Sequence, residues 1–159
     1  MNIKITAVGK LKEKYLKEAL EQYTKRLSRY AKISITELQD EKTPESASEK
    51  EEEMIKKIEG EKILKSIEEG SFVIAMDLNG KMLTSVEFSS IISDLGLQGK
   101  SNINFIIGGS LGLSPEVLQR ADYKLCFSKM TFPHQLFRVM LLEQIYRGFR
   151  IMYGEPYHK

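Results

Sequence analysis

The chain contains little of what marks secreted, membrane-spanning or zinc-binding proteins. Cys126 is the only cysteine among 159 residues, so no disulfide can form within the chain. There are two histidines and no Cys/His cluster, which argues against a zinc site. No apolar run is long enough to span a bilayer, and residues 1–15 resemble no secretion signal. We therefore expect a cytoplasmic protein with no transmembrane helix, no disulfide and no metal ion.

Charge is distributed unevenly along the chain, although the net charge is only +2. Residues 1–32 contain nine Lys or Arg against three acids, and residues 120–159 contain seven against three. Residues 41–69 contain ten acids against six Lys. If the two basic ends meet in space, they form a basic face that attracts phosphate groups. The alternative is ordinary solvated surface.

Hydrophobic periodicity predicts strands that alternate with helices along a single domain spanning residues 1–159. The predicted strands are 2–8, 32–38, 71–76, 103–107 and 122–127, and the predicted helices are 13–30, 47–67, 85–95, one that starts at Ser114, and 133–151. A turn is predicted at residues 77–80. This alternation predicts an α/β fold with a mostly parallel sheet and helices on both faces.

Unusual loops come after two of the predicted strands. Three glycines fall within residues 108–112, after the fourth strand, and residues 128–132 come after the fifth. Ligands of parallel sheets bind at the carboxyl ends of strands, so these loops and Met76 line one pocket if their strands are neighbours. The glycine spacing fits neither a dinucleotide fingerprint nor a P-loop, which argues against a nicotinamide or NTP enzyme. A glycine turn that only permits tight strand–helix packing remains an alternative.

A set of motifs gives the chain a specific resemblance. Residues 105–112 are FIIGGSLG, residues 125–134 are LCFSKMTFPH, Tyr146 precedes Arg147, and residues 156–159 are PYHK. In this order, along the whole chain, the motifs resemble the bacterial 23S rRNA pseudouridine-N3 methyltransferase family, a small single-domain branch of the SPOUT methyltransferases.

The resemblance implies properties that periodicity does not show. It implies an α/β knot, in which the C-terminal stretch threads through a loop to form a deep trefoil, and a homodimer that binds S-adenosylmethionine in the knot. The implied target is N3 of a pseudouridine in helix 69 of 23S rRNA, within the assembled ribosome. The residues that match the family's cofactor positions are Met76, Gly108, Phe127, Ser128, Lys129, Met130, Thr131 and Phe132.

Elementary chemistry supports these cofactor positions. Gly108 has no side chain to block the approach of a flat adenine. The loop from Phe127 to Phe132 supplies backbone amides and carbonyls beside apolar walls from Met130 and Phe132. For Met76, Met130 and Phe132 the alternative is ordinary core packing.

Three residues late in the chain are candidates for catalysis. His158 is the candidate base for the imide proton of the target, because methylation of N3 requires that proton to leave. Tyr157 is expected to stack on the target base or to donate its hydroxyl. Arg147 is expected to bind phosphate or to stabilise the developing imide anion. The alternatives are a disordered terminus for the tail and a solvated helix-end cation for Arg147.

The last predicted helix also bears on the oligomeric state, because apolar residues lie around much of its circumference. A second subunit would cover them, which favours a homodimer. His134 and Cys126 are interpreted as structural. Two competing functions remain open: a ribosome-binding module that has lost its cofactor, and a small-molecule methyltransferase, which would not need basic ends.

Overall fold

The computed structural model describes residues 1–159 and contains five strands and five helices in alternation. Their bounds are β1 Asn2–Val8, α1 Lys14–Leu27, β2 Lys32–Leu38, α2 Glu49–Ser66, β3 Phe72–Met82, α3 Ser85–Leu97, β4 Asn102–Ile107, α4 Pro115–Arg120, β5 Tyr123–Cys126 and α5 His134–Met152. The predicted order of elements is confirmed. Two helices begin at serine N-caps, since the side chains of Ser48 and Ser114 accept hydrogen bonds from the first turns of α2 and α4.

The five strands form one sheet in the order β2-β1-β4-β3-β5, and every pairing is parallel. Ile3 of β1 lies between Ile33 of β2 and Ile103 of β4. The direction of winding reverses between β1 and β4, because β2 lies on one side of β1 and the later strands lie on the other. Such a switch point leaves a crevice at the carboxyl ends of the strands.

Helices cover both faces of the sheet, as predicted. The larger core joins α1, α3 and α5 to one face through buried residues such as Ile5, Phe105 and Ile145. The smaller core joins α2 and α4 to the other face through Ile63, Ile106 and their neighbours. None of the helices is long and apolar enough to cross a membrane.

The third strand differs from its prediction. The turn expected at residues 77–80 is a bulge within β3, and the strand resumes at Lys81 and Met82, which pair with Leu125 and Cys126. Gly80 permits this return, because a Cβ there would lie 2.7 Å from the backbone carbon of Lys124. The prediction that the strand ends at Met76 is therefore wrong, since cross-strand pairing resumes beyond the bulge.

The connection from β5 to α5 positions the site. β5 is at the edge of the sheet, yet Arg138, in the second turn of α5, donates hydrogen bonds to the carbonyls of Val8 and Gly9 at the end of β1. Residues 127–133 must therefore pass over the carboxyl ends of β3 and β4. The deep trefoil knot that the resemblance implies stays a prediction.

Candidate functional site

The predicted cofactor residues lie on three neighbouring strands, after the ends of β4 and β5 and, for Met76, directly before the bulge of β3. Met76 pairs with Leu125 in β3 and β5, and Gly108 comes directly after β4, which pairs with β3 on its other side. The loop of residues 127–132, which we call the cofactor loop, crosses these strand ends. The condition set by the sequence, that the three strands be neighbours, is met.

The glycine loop, residues 108–112, is closed upon itself. The amide of Gly112 donates to the carbonyl of Gly109 at 3.1 Å, and Gly112 has a φ of +84°, a conformation that favours glycine. A Cβ at Gly108 would lie 3.0 Å from the carbonyl carbon and oxygen of Gly112. Gly108 is thus required by the packing of its own loop, whatever else approaches it.

The cofactor loop leaves its backbone available to a ligand. None of its residues makes a backbone–backbone hydrogen bond; the thiol of Cys126 donates to the carbonyl of Ser128, and the amide of Met130 donates to the Ser128 hydroxyl. Phe127 is half-buried with its ring 4.8 Å from that of Phe137. Met130 is 74% exposed and Lys129 is exposed, so the apolar wall expected from Met130 is absent in the single chain.

A cavity of about 330 Å³ lies beside the start of this loop. Its volume is in the range of small-molecule sites. Its lining combines apolar residues of the sheet and helices with four polar ones, and comprises Leu83, Thr84, Ser85, Phe88, Leu125, Cys126, Phe127, Met140, Glu143 and Gln144. Of the predicted cofactor residues, Phe127 lines this cavity, whereas Met76 is half-buried against the core and Gly108 is buried in its own loop.

The three candidate catalytic residues meet around Glu143. The tail, residues 153–159, folds back along α5 rather than extending into solvent. Glu143 Oε1 accepts hydrogen bonds from Arg147 Nη2 at 2.6 Å and from the Tyr157 hydroxyl at 3.1 Å. Arg147 also lies 4.7 Å from the centre of the Tyr157 ring, and its Nη1 is 3.4 Å from His158 Nδ1. The structure thus brings Arg147, Tyr157 and His158 together.

These contacts determine the protonation of the site. Burial and the neighbouring Glu143 carboxylate raise the pKa of Tyr157 to about 12, so its phenol stays neutral and acts as a donor. The hydrogen bonds to Glu143 raise the pKa of Arg147. Because a guanidinium can only donate, a hydrogen bond across the 3.4 Å between Arg147 Nη1 and His158 Nδ1 uses Nδ1 as the acceptor, in the tautomer with its proton on Nε2.

Glu143 itself was not identified from the sequence. It joins the two parts of the site, since it lines the cavity and also holds Arg147 and Tyr157. Its contact with Arg147 could have been predicted from spacing, because the two residues are four apart on one predicted helix and such pairs lie next to each other on the helix surface. The contact with Tyr157 carried no signal, since it depends on the tail folding back.

The two basic ends of the chain meet in the structure, which is the condition that the charge pattern set for a basic face. α1 packs on α5 through Tyr23 and Tyr146, whose ring centres are 6.4 Å apart, and Arg26 lies over both rings. Arg29 and Arg150 lie in the same region, where Glu155 binds both of them. The acidic helix α2 lies on the opposite face of the sheet. Arg26 forms no ion pair and is exposed, so it is available to an anion.

A second, more polar cleft of about 850 Å³ opens at the ends of β1, β2 and β4. We call it the β1–β2 cleft. Buried Arg138, which pairs with Glu37 at 2.7 Å, lines it beside Glu59 and Gly109. His134 also lines it, and burial together with the Arg138 charge lowers the pKa of His134. Nowhere do three or more His, Cys, Asp or Glu side chains form a group that could hold a metal ion.

Comparisons with known proteins concern the family and the fold of the chain. The model of a family described as a predicted SPOUT methyltransferase matches residues 1–158. Proteins named ribosomal RNA large subunit methyltransferase H from Clostridium tetani and Clostridium acetobutylicum are 70% and 69% identical over 159 residues, which is the full length of each chain. A solved probable methylase from Haemophilus influenzae superposes with a TM-score of 0.54 at 14% identity, over 99% of this chain and 70% of its own, and so supports the fold alone.

Proposed function

The chain belongs to the SPOUT methyltransferase family, and from that premise we propose that it methylates large-subunit ribosomal RNA with S-adenosylmethionine as methyl donor. The finer proposal is that the acceptor is N3 of a pseudouridine in helix 69 of 23S rRNA in the assembled ribosome. The observation that carries the proposal is the 70% identity, over the full length of both chains, to a ribosomal RNA large subunit methyltransferase H.

The residues at the carboxyl ends of β4, β3 and β5 suit S-adenosylmethionine. When bound, this cofactor supplies an electrophilic methyl group on a positively charged sulfur. The free amides and carbonyls of the cofactor loop match the hydrogen-bonding edge of an adenine, and the cavity offers apolar walls. Glu143 also lines this cavity, with its charge paired with that of Arg147. Met76, Gly108 and the cofactor loop are the proposed binding residues.

The tail residues are proposed to serve the acceptor base. The imide proton of N3 must leave as the nitrogen–methyl bond forms, so the site must accept a proton or favour the imide anion. Arg147 is proposed to stabilise that anion, and the neutral Tyr157 phenol to donate or stack. His158 is proposed as the base, a role that requires its Nδ1 to separate from Arg147 when the target binds.

A homodimer is proposed on the resemblance alone. The apolar circumference of α5 does not require a second subunit, because Leu141, Ile145 and Phe149 are buried within the single chain. In the proposed dimer, the second subunit would bring its C-terminal tail to the pocket of the first. The basic region where α1 meets α5 is proposed to contact rRNA.

The test is a methylation assay with a chemically defined product. Ribosomes from a strain that lacks the modification are incubated with the protein and labelled S-adenosylmethionine, and the nucleosides are identified by mass spectrometry. We expect 3-methylpseudouridine in ribosomal RNA, and no product from ribosomes that carry uridine in place of the pseudouridine. Methylation of another nucleotide would contradict the proposed acceptor, the pseudouridine in helix 69. Absence of any RNA methylation would contradict the proposal that the protein methylates ribosomal RNA.

A ribosome-binding module without catalysis is the competing function. The glycine and cofactor loops that a methyltransferase needs are both formed, which favours the enzyme. Calorimetric titration with S-adenosylmethionine separates the two, since a module without a cofactor site releases no heat of binding.

A further inference from the structure

A buried carboxylate on α2 has no evident role in the core. Glu59 is only 4% exposed and forms no ion pair, and one of its oxygens, Oε2, accepts a hydrogen bond from the amide of Glu41 at 3.0 Å. Burial raises the pKa of Glu59 overall; the hydrogen bond from the Glu41 amide and the charge of Lys62 lower it, and the charges of Asp40 and Glu41 raise it. Burying an acid without a cation costs stability that an apolar residue of similar size would not. Its position therefore calls for another explanation.

The carboxylate lies against the glycine loop. A Cβ on Gly109 would be 3.0 Å from Glu59 Oε1 and 3.2 Å from Oε2, so the two groups are in direct contact. The next residue of α2 makes a second close approach, because a Cβ on Gly60 would be 2.3 Å from Ser114 Oγ. Ser114 is 2% exposed and caps α4, the helix that begins after the loop. Two successive residues of one helix thus contact both ends of the segment 109–114.

The other contacts of this segment are few: Leu113 packs against the smaller core, and Gly109 lies beside Val8. Ser110 and Gly112 are exposed, and the loop's own backbone contributes the single turn between Gly109 and Gly112. Gly108 directly precedes the segment and is in contact with Gly112. A displacement of residues 109–114 would therefore displace Gly108. α2 packs on the face of the sheet opposite α3 and α5, which line the cavity.

We propose that Glu59 and Gly60 are positioning residues that hold residues 109–114 in place and thereby set the affinity for S-adenosylmethionine. The inference rests on the proposed function, because it assumes that the cofactor binds beside Gly108. Glu59 needs its full length to reach the loop and its carboxylate to accept the hydrogen bond from the Glu41 amide that fixes it there. Gly60 needs to lack a side chain so that Ser114 can approach α2. The contacts act through the loop backbone, so neither residue needs to touch the cofactor.

The first experiment alters Glu59. We compare Glu59→Ala and Glu59→Gln with Glu61→Gln, which alters an exposed acid on the same helix. For each variant, calorimetry gives the dissociation constant of S-adenosylmethionine. Assays on ribosomes give kcat and the KM for S-adenosylmethionine, and thermal unfolding gives the melting temperature. Glu59→Ala should raise the dissociation constant and KM about tenfold, the lower end of the loss seen when a ligand-supporting contact is removed at metal sites. Its kcat should stay near the wild-type value. Glu59→Gln should show a smaller loss, and Glu61→Gln none.

The second experiment uses compensation. Gly60→Ala should weaken cofactor binding because its methyl group displaces Ser114, and adding Ser114→Gly should restore binding because it removes both close atoms. Ser114→Gly alone is the control, since glycine is accepted at helix N-caps. Cofactor binding would not be restored if the role of Gly60 did not involve its contact with Ser114.

The outcomes are separable. If the wild-type chain does not bind S-adenosylmethionine, the proposed function and this inference both fail. If it binds, and folded Glu59→Gln and Glu59→Ala bind with unchanged affinity whatever their melting temperatures, this inference alone is overturned. Absence of rescue in the Gly60→Ala, Ser114→Gly double variant would overturn the part assigned to Gly60.

Discussion

The two ends of α5 each carry an Arg–Glu pair, and the two pairs have different consequences. Near the start, Arg138 is buried and joins α5 to two strands, through Glu37 of β2 and the carbonyls at the end of β1. Toward the other end, Arg147 is half-buried and its ion pair with Glu143 lies within the same helix. The first pair links elements that are far apart in sequence, whereas the second organises a surface and the tail. The same chemistry should therefore support folding at one end and activity at the other.

The largest effect is expected when the tail is removed. Deleting residues 157–159 removes no core side chain, so the fold and cofactor affinity should be preserved. Methyl transfer should fall by roughly 10²–10⁴-fold, as when a general base or an aligned substrate contact is lost. Single-turnover assays on ribosomes measure this loss. Full activity of the truncated chain would leave Arg147 as the remaining catalytic candidate.

Within the tail, His158→Ala should show part of that loss. The deficit should shrink as the pH is raised, because hydroxide then removes the imide proton without help from the protein. A deficit that is the same at every pH would assign His158 a binding role, in which it stays beside Arg147.

At the other end of the helix the expected loss is in stability. Arg138→Ala removes the bonds to Glu37, Val8 and Gly9, and should lower the free energy of unfolding by roughly 3 kcal/mol, since the partly exposed Glu37 can be rehydrated. For a chain of this length the melting temperature should fall by about 6–12 °C. Arg147→Ala is the matched control, with an expected loss of about 1 kcal/mol or less. Equal losses of unfolding free energy in Arg138→Ala and Arg147→Ala would contradict the assignment of the first ion pair to folding and of the second to activity.

A third effect should appear in RNA binding. Lys25→Glu with Arg26→Glu reverses charge where α1 meets the far half of α5, and should weaken binding to ribosomes at least tenfold, with a shallower dependence on salt. Lys50→Glu with Lys57→Glu, on α2 at the opposite face, is the control and should have little effect. Cofactor affinity should be the same in both variants. Equal weakening by both would show a response to net charge rather than to a defined surface.

The smallest effect concerns pH. Because the folded pKa of Tyr157 is about 12 and lies above its ordinary value, the unfolded chain loses this proton first as the pH rises. The contribution of Tyr157 to stability is therefore complete below about pH 10 and is lost as the pH rises toward 12. Denaturant titrations at neutral and high pH should show this loss in the wild-type chain and a smaller one in Tyr157→Phe. The same loss in both would assign it to Tyr30 and Tyr123, whose pKa values are also raised by burial.

Local sequence patterns predicted most of the fold correctly. Alternating or wholly apolar runs identified the strands, and Ser114 identified the start of α4, because each signal acts within a few residues. The end of β3 was predicted wrongly for the same reason. Residues 77–80 have the composition of a turn, but the return of the chain to the sheet at Lys81 depends on pairing with β5, about forty residues later.

Sequence by itself determined the element order, the family and the residues that the motifs contain, since these are properties of residue type and spacing. Only the tertiary structure decided which of these residues meet. Glu143 became the link between cavity and tail because the tail folds back, and Glu59 came to lie against Gly109 because α2 packs beside the end of β4. Arg138 is buried because residues 127–133 carry the chain across two strands to reach β1. Contacts between residues far apart in sequence depend on the packing of whole elements, and local patterns contain no record of that packing.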